Sequence, residues 1–136
     1  MTLFAWSDEE FGVNVAEIDE QHKQLIAIIN ELHDSMLEKK SGDIMARLFE
    51  RLLRYVEVHF ETEERLMKTY DYPGFDAHKA QHDDLAARVR SMQEDQQQGR
   101  IIVSVDVMNF LKDWLVRHIK GTDRLYADFL NSEGVY

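Results

Sequence analysis

A chain of 136 residues with 26 acidic and 16 basic side chains, a formal net charge of −10 and no cysteine is long enough to bury about two-thirds of its unfolded surface in one domain and too short to expect two. The acidity, with no basic stripe, argues against nucleic acid or an anionic membrane surface as a partner. Without cysteine there is no disulfide, thiolate zinc site or iron–sulfur cluster, so any metal must be held by nitrogen and oxygen.

Residues 1 to about 17 show no helical period, and Trp6, Phe11, Val13 and Val15 are spaced like an extended arm that lays apolar side chains over a bundle. The segment from Met1 to Trp6 has neither a basic region nor a sustained apolar stretch, and no run in the chain approaches the ~20 apolar residues of a membrane span. A cytoplasmic location is therefore expected. Beyond the arm, a single proline, few glycines and no strand-like alternation read as all-α.

A first helix is expected to open near Asp19 as N-cap, with Ile18, His22, Leu25, Ile29, Leu32 and Met36 on one seam. Lys39-Lys40-Ser41-Gly42 should end it, with basic residues in the last turn and a glycine beyond. A second helix should run from near Asp43 to about Thr69, its seam reading Leu48, Leu52, Tyr55, His59, Glu63 and Leu66. Tyr70 to Gly74, containing Pro73, is the turn into a third helix, capped near Asp76, that carries His78, His82, Leu85, Val89 and Met92 and fades at Gln96 to Gly99. Ser104 can cap a fourth helix with Val107, Leu111, Trp114 and His118 on its seam and Leu115 and Ile119 beside it. Gly121-Thr122 interrupts this helix. Leu125, Tyr126, Phe129 and Leu130 then form a short terminal amphipathic helix.

Two motifs stand out. His59 and Glu63, and again His78 and His82, are four residues apart and so lie on one helix face one turn above each other. One such pair is explained as well by an ordinary polar contact; two pairs on consecutive helices have metal-ligand spacing. Four helices with short connections pack up-down-up-down and antiparallel, which brings the start of the first, the end of the second, the start of the third and the end of the fourth to one end of the bundle. His22, His59 with Glu63, His78 with His82, and His118 with Asp123 occupy those four places. Asp123 is five residues beyond His118, about 140° round an ideal helix, so the helix must loosen at Gly121 for both to face inward. His33 points much as His22 does but lies ~16 Å further along the axis, and is read as a polar residue without a ligand role.

Five imidazoles and two carboxylates exceed the four ligands of one tetrahedral zinc, whereas two metals sharing bridging carboxylates use all seven. A dinuclear zinc hydrolase would need an activated water and a nearby acid or base. The neighbours on this seam are instead Phe60, Trp114, Leu115 and Ile119, a dry pocket suited to iron handling a small neutral molecule, although ligand type alone does not select among divalent metals.

With these residues in place, the chain resembles the bacterial hemerythrins, from Trp6 and Ile18-Asp19-Glu20-Gln21-His22, through His59 to Glu63 and His78 to His82, to His118-Ile119-Lys120-Gly121-Thr122-Asp123. The resemblance implies one domain over 1–136, an all-α up-down-up-down antiparallel four-helix bundle with an N-terminal extended arm and a short C-terminal helix, and two non-heme irons bridged by carboxylates and a solvent-derived oxygen. It assigns His78, His82 and His118 to one iron, His22 and His59 to the other, and Glu63 and Asp123 to the bridge. The iron with two histidines would keep the open position for O2. The function implied is reversible, non-enzymatic O2 binding, as carrier, store or supply to an oxygen-consuming enzyme. The alternatives are an oxygen- or redox-sensing module, against which the chain shows no output segment after its last helix, and a di-iron peroxidase or oxidase, for which the pocket supplies no evident proton donor.

Overall fold

The computed structural model describes residues 5–99 and 105–136, so the expected cap at Ser104 and the first residues of the arm lie outside the described part. Its elements are α1 (Asp8–Phe11), α2 (Ala16–Leu37), α3 (Gly42–Thr69), α4 (Phe75–Gln97), α5 (Val105–Arg117), a π-helical turn (His118–Asp123) and α6 (Arg124–Ser132). The expected all-helical bundle is what forms: α2 packs on α3 and on α5, and α3 on α4. Among the described residues no helix is long and apolar enough to cross a membrane.

The local signals moved some boundaries. The arm is not extended throughout, because the Ser7 hydroxyl accepts from the Glu10 amide and Asp8, Glu9 and Glu10 crowd the first turn of α1, where carboxylates oppose the positive end of the helix dipole. Phe11, Val13 and Val15 are buried, as the draped arm requires. Asp19 does not cap α2, which opens three residues earlier. Its carboxylate instead accepts from the Val13 amide at 2.8 Å and pins the arm to the helix. Nor does Gly42 end α2. Lys39 takes the left-handed conformation with φ 55°, and Gly42 begins α3 behind Ser41, whose hydroxyl accepts from the Ile44 amide. The cap expected of Asp76 is absent too, since α4 begins a residue earlier behind Gly74. In that α3–α4 turn Asp71 is left-handed, with φ 53°, and a Cβ on Gly74 would stand 2.8 Å from the Tyr72 ring, so a larger residue there would have to displace that ring.

The core is layered below the end of the bundle that holds the histidines. Leu25, Val56, Leu85 and Leu115, each three residues from a histidine, form one buried layer; Ile29, Leu52, Val89 and Leu111, each seven away, form the next. Tyr55 and Leu66, expected on the α3 seam, are only partly buried, and Val56 and Met67 take the inward positions. A seam written in steps of three and four drifts ~20° per heptad round a straight helix, and α3 is long enough for that drift to change its inward residues. Leu125 is exposed, while Tyr126, Ala127 and Leu130 are buried. The π-helical turn inserts one residue into the helical register and so rotates α6 away from the face that an uninterrupted helix would present.

Candidate metal centre

The antiparallel packing delivers His22 from the first turns of α2, His59 and Glu63 from the last turns of α3, His78 and His82 from the start of α4, and His118 and Asp123 from the two ends of the π-helical turn. All seven side chains are at most 2% exposed. A π-helix closes i to i+5, so residues five apart stack, and His118 Nε2 lies 3.0 Å from Asp123 Oδ1. The loosening expected around Gly121 is this turn. The glycine does not force it: an added Cβ would meet nothing within 4 Å.

The donors converge tightly. Asp123 also reaches His78 Nε2 at 3.0 Å and His22 Nε2 at 3.0 Å, while Glu63 lies 2.6 Å from His59 Nε2, 3.6 Å from His78 Nε2 and 3.8 Å from His82 Nε2. The His82 and His118 Nε2 atoms are 3.1 Å apart. Ligand atoms lying within 4.8 Å of one another form two sets, Glu63, His78, His82, His118 and Asp123 in one, and His22, His59, Glu63 and Asp123 in the other. Both carboxylates belong to both sets. Among the described residues, His22 Nε2, His59 Nε2, His78 Nε2 and all four oxygens of Glu63 and Asp123 are buried without a hydrogen-bond partner. So many orphaned polar atoms in one place are costly unless cations satisfy them, and five imidazole nitrogens with two carboxylates are a donor set that iron accepts.

Electrostatics follow from this crowding. Burial drives His82 down to about 2, reinforced by His118 and His78 alongside, so its ring is neutral, as a metal ligand must be. For His118 burial acts downward, but Asp123 and Glu63 outweigh it and hold the ring above its ordinary value. Burial likewise raises Asp123, yet His118, His22 and His78 together pull its carboxyl well below the usual range. Tyr126 sets its ring edge-on to His78 at 5.0 Å, and burial, then Glu63 and Asp123, push its phenol well up.

Sequence reasoning missed the groups that orient the rings. Gln21 Oε1 lies 2.6 Å from His59 Nδ1, and Gln81 Oε1 lies 3.0 Å from His118 Nδ1. Each glutamine reaches across to the neighbouring helix. Gln21 donates to the Thr62 hydroxyl at 3.2 Å and Gln81 accepts from the Thr122 hydroxyl at 2.9 Å. Glu64 holds His82 Nδ1 at 3.0 Å. Such outer contacts fix the tautomer and aim the metal-facing nitrogen. A signal for them was available: Gln21-His22 precedes His59 and Thr62-Glu63 much as Gln81-His82 precedes His118 and Thr122-Asp123. Each helical hairpin thus supplies a glutamine, two histidines, a threonine and a carboxylate. His78 has no counterpart in the first hairpin, where Ile18 stands at the corresponding position four residues before His22, and the second donor set is one member smaller.

The four expected pocket residues separate. Phe60 stacks on His82 at 3.7 Å with ring planes 1° apart, and with Leu115 it lines an interior cavity of about 20 Å³. Ile119 is fully buried. Trp114 is only partly buried; it stacks on His118 at 4.5 Å and lines an outer groove that also holds Gln81, Arg117 and Thr122, because it lies one residue further round the helix than Leu115. His33 is remote from the donors, its Nδ1 3.9 Å from the Asp34 carboxylate.

Residues 13–130 match the Hemerythrin HHE cation binding domain. The chain is 38% identical over 132 residues to bacteriohemerythrin of Methylococcus capsulatus, an alignment covering 97% of this chain and the whole of that one. It is 34% identical over 123 residues to myohemerythrin of Theromyzon tessulatum, covering 90% of each. A crystal structure of wild-type hemerythrin superimposes with a TM-score of 0.89 at 36% identity, covering 93% of this chain and 97% of the other.

Proposed function

This chain belongs to the hemerythrin family, and we propose that it binds O2 reversibly at a pair of non-heme irons, serving as carrier, store or supply rather than as an enzyme. The observation that carries the reading is the division of seven buried donors into two sets that share both carboxylates. His78, His82 and His118 would hold one iron, His22 and His59 the other, and Glu63 and Asp123 both. When bound, the two ferrous ions supply the electrons and the open coordination position that reversible O2 binding needs.

The protein's part is to aim and to exclude. Gln21, Gln81 and Glu64 hold three of the five rings by their outer nitrogens, and Phe60 and Leu115 close the inner side with apolar surface. No titratable side chain lines that inner cavity, which keeps proton donors away from the O2 side and favours binding over peroxide chemistry. We take residues 1–136 as one functional unit, because the donors come from every long helix, and assign it to the cytoplasm, with an oxygen-consuming enzyme as recipient.

Purified protein loaded anaerobically should contain two irons per chain, develop an oxy absorption band in air and lose it on deoxygenation. One tightly bound zinc and no iron would overturn the proposal. Rapid turnover of added peroxide would move the protein to the enzyme class.

A further inference from the structure

The five rings differ in what stands behind them. Gln21 and Gln81 set neutral amide oxygens against the outer nitrogens of His59 and His118 at 2.6 and 3.0 Å. His22 and His78 have no partner for theirs among the described residues. His82 alone meets a carboxylate there, with Glu64 Oε2 at 3.0 Å from its Nδ1. We propose that Glu64 is a positioning residue that sets the electron balance between the two metals: acting through His82, its charge makes the three-histidine iron the more readily oxidised of the pair. This rests on the iron assignment proposed above.

A carboxylate behind a ring does more than an amide. An amide oxygen accepts the Nδ1 proton and fixes the tautomer. An ionised carboxylate makes a charge-assisted bond, about twice as strong, and draws that proton outward, which leaves more electron density on the metal-facing nitrogen and raises its basicity. A more basic donor favours the ferric over the ferrous ion. Geometry confines the effect to one metal, because His82 belongs only to the set with His78 and His118. Phe60, parallel to the ring at 3.7 Å, fixes its plane, so that Nδ1 stays on Glu64 while Nε2 faces His118 Nε2 at 3.1 Å. The Glu64 side chain is only 20% exposed, and its other oxygen lies 3.6 Å from the Lys79 ammonium, which Asp83 also holds at 3.0 Å. When O2 binds, each ferrous ion loses one electron and O2 gains both; on release both return. In the proposed arrangement the three-histidine iron has no open position, so its contribution is the electron alone, and Glu64 stands behind that metal.

The test compares the iron-loaded full-length parent with Glu64→Gln, which keeps an acceptor of the same size and removes the charge. In the absence of O2, with a redox dye at a fixed oxidised-to-reduced ratio, the ferrous-to-ferric ratio should rise several-fold in Glu64→Gln while iron content stays the same; in air the variant should release O2 several-fold faster. In the diferrous protein the metal-shifted, solvent-exchangeable Nδ1 proton resonance of His82 should move, and those of His59 and His118 should hold still. An unchanged dye equilibrium would overturn the proposal, since glutamine would then serve His82 as well as it serves the other two rings and Glu64 would only aim. Lys79→Met, which unmasks the Glu64 charge without touching a donor, should lower the ferrous-to-ferric ratio at low ionic strength, where such charges are least screened. It decides the matter if Glu64→Gln fails to load iron, and an unchanged ratio there would also overturn the proposal. If the parent forms no oxy adduct, the O2 function fails; the dye equilibrium needs no O2 and still decides the role of Glu64.

Discussion

Glu63 lies within 4 Å of three histidines from two helices, whereas His22 contacts a single carboxylate, Asp123, at 3.0 Å. Removing a shared donor weakens both halves of the centre at once and leaves two cations facing each other with less negative charge between them. Glu63→Ala should therefore retain much less iron after desalting than His22→Ala, and equal retention would contradict a bridging role. Leu115 belongs to the opposite kind of residue, one that touches no charge. Leu115→Ala would remove part of the apolar wall between the cavity and the donors, so that water entering there finds polar partners, and the oxy form should decay faster in air-saturated buffer while iron content stays the same; an unchanged first-order rate would show that this side chain does not keep the centre dry. The donors were readable from the sequence because metal ligation demands fixed residue types at fixed spacing. The ring anchors could be read only from the glutamine–histidine and threonine–carboxylate steps that recur in both hairpins, because Gln21 and Gln81 act across helices on histidines 38 and 37 residues away and no periodicity within one helix reports such a pair.

The π-helical turn is the element on which Asp123 depends. Gly121 has open space where a side chain would begin, and its replacement by alanine removes backbone freedom from the unfolded chain. Gly121→Ala should keep full iron content and be as stable as the parent or up to about 1 kcal/mol more so, measured by urea unfolding. Inserting one residue after Gly121 should do the reverse: six residues would then separate His118 from the carboxylate, a step that neither an α- nor a π-turn closes, so Asp123 and Tyr126 rotate by about 100° out of their positions, and iron binding is lost although far-ultraviolet helicity remains. The sequence announced that the helix had to yield here, since a five-residue step cannot face one way twice on an α-helix. It did not announce the form of the yielding, and Leu125 was consequently expected inside. Helix α3 carries a milder version of the same difficulty, where Tyr55 and Leu66 fit a seam of regular steps and the drift of a long helix buries Val56 and Met67 in their place.

At the scale of the molecule, one end of the bundle is held by apolar layers and the other by polar donors that have few partners besides one another. Metal removal should leave the layered end helical and loosen the donor end, because ligands that bind the native state alone stabilise it in proportion to the logarithm of their concentration over Kd. The apo form is expected to melt roughly 10 °C or more below the holo form, with most of its helicity retained before the transition; equal midpoints would show that the donors are not a burden without cations. The fold class followed from composition and helical periodicity, which are whole-chain properties. The arm was harder to read: its hold depends on single contacts, Asp19 to the Val13 amide and Asn131 to the Asn14 carbonyl at 3.0 Å, that join residues of no distinctive pattern. The spread of the donors from residue 22 to residue 123 also bears on the order of events as the chain folds. Each helix can form from neighbours in sequence, but the two donor sets exist only once all four long helices stand in register. Iron uptake is then a late step, and its rate is a clock for the arrival of the last helix.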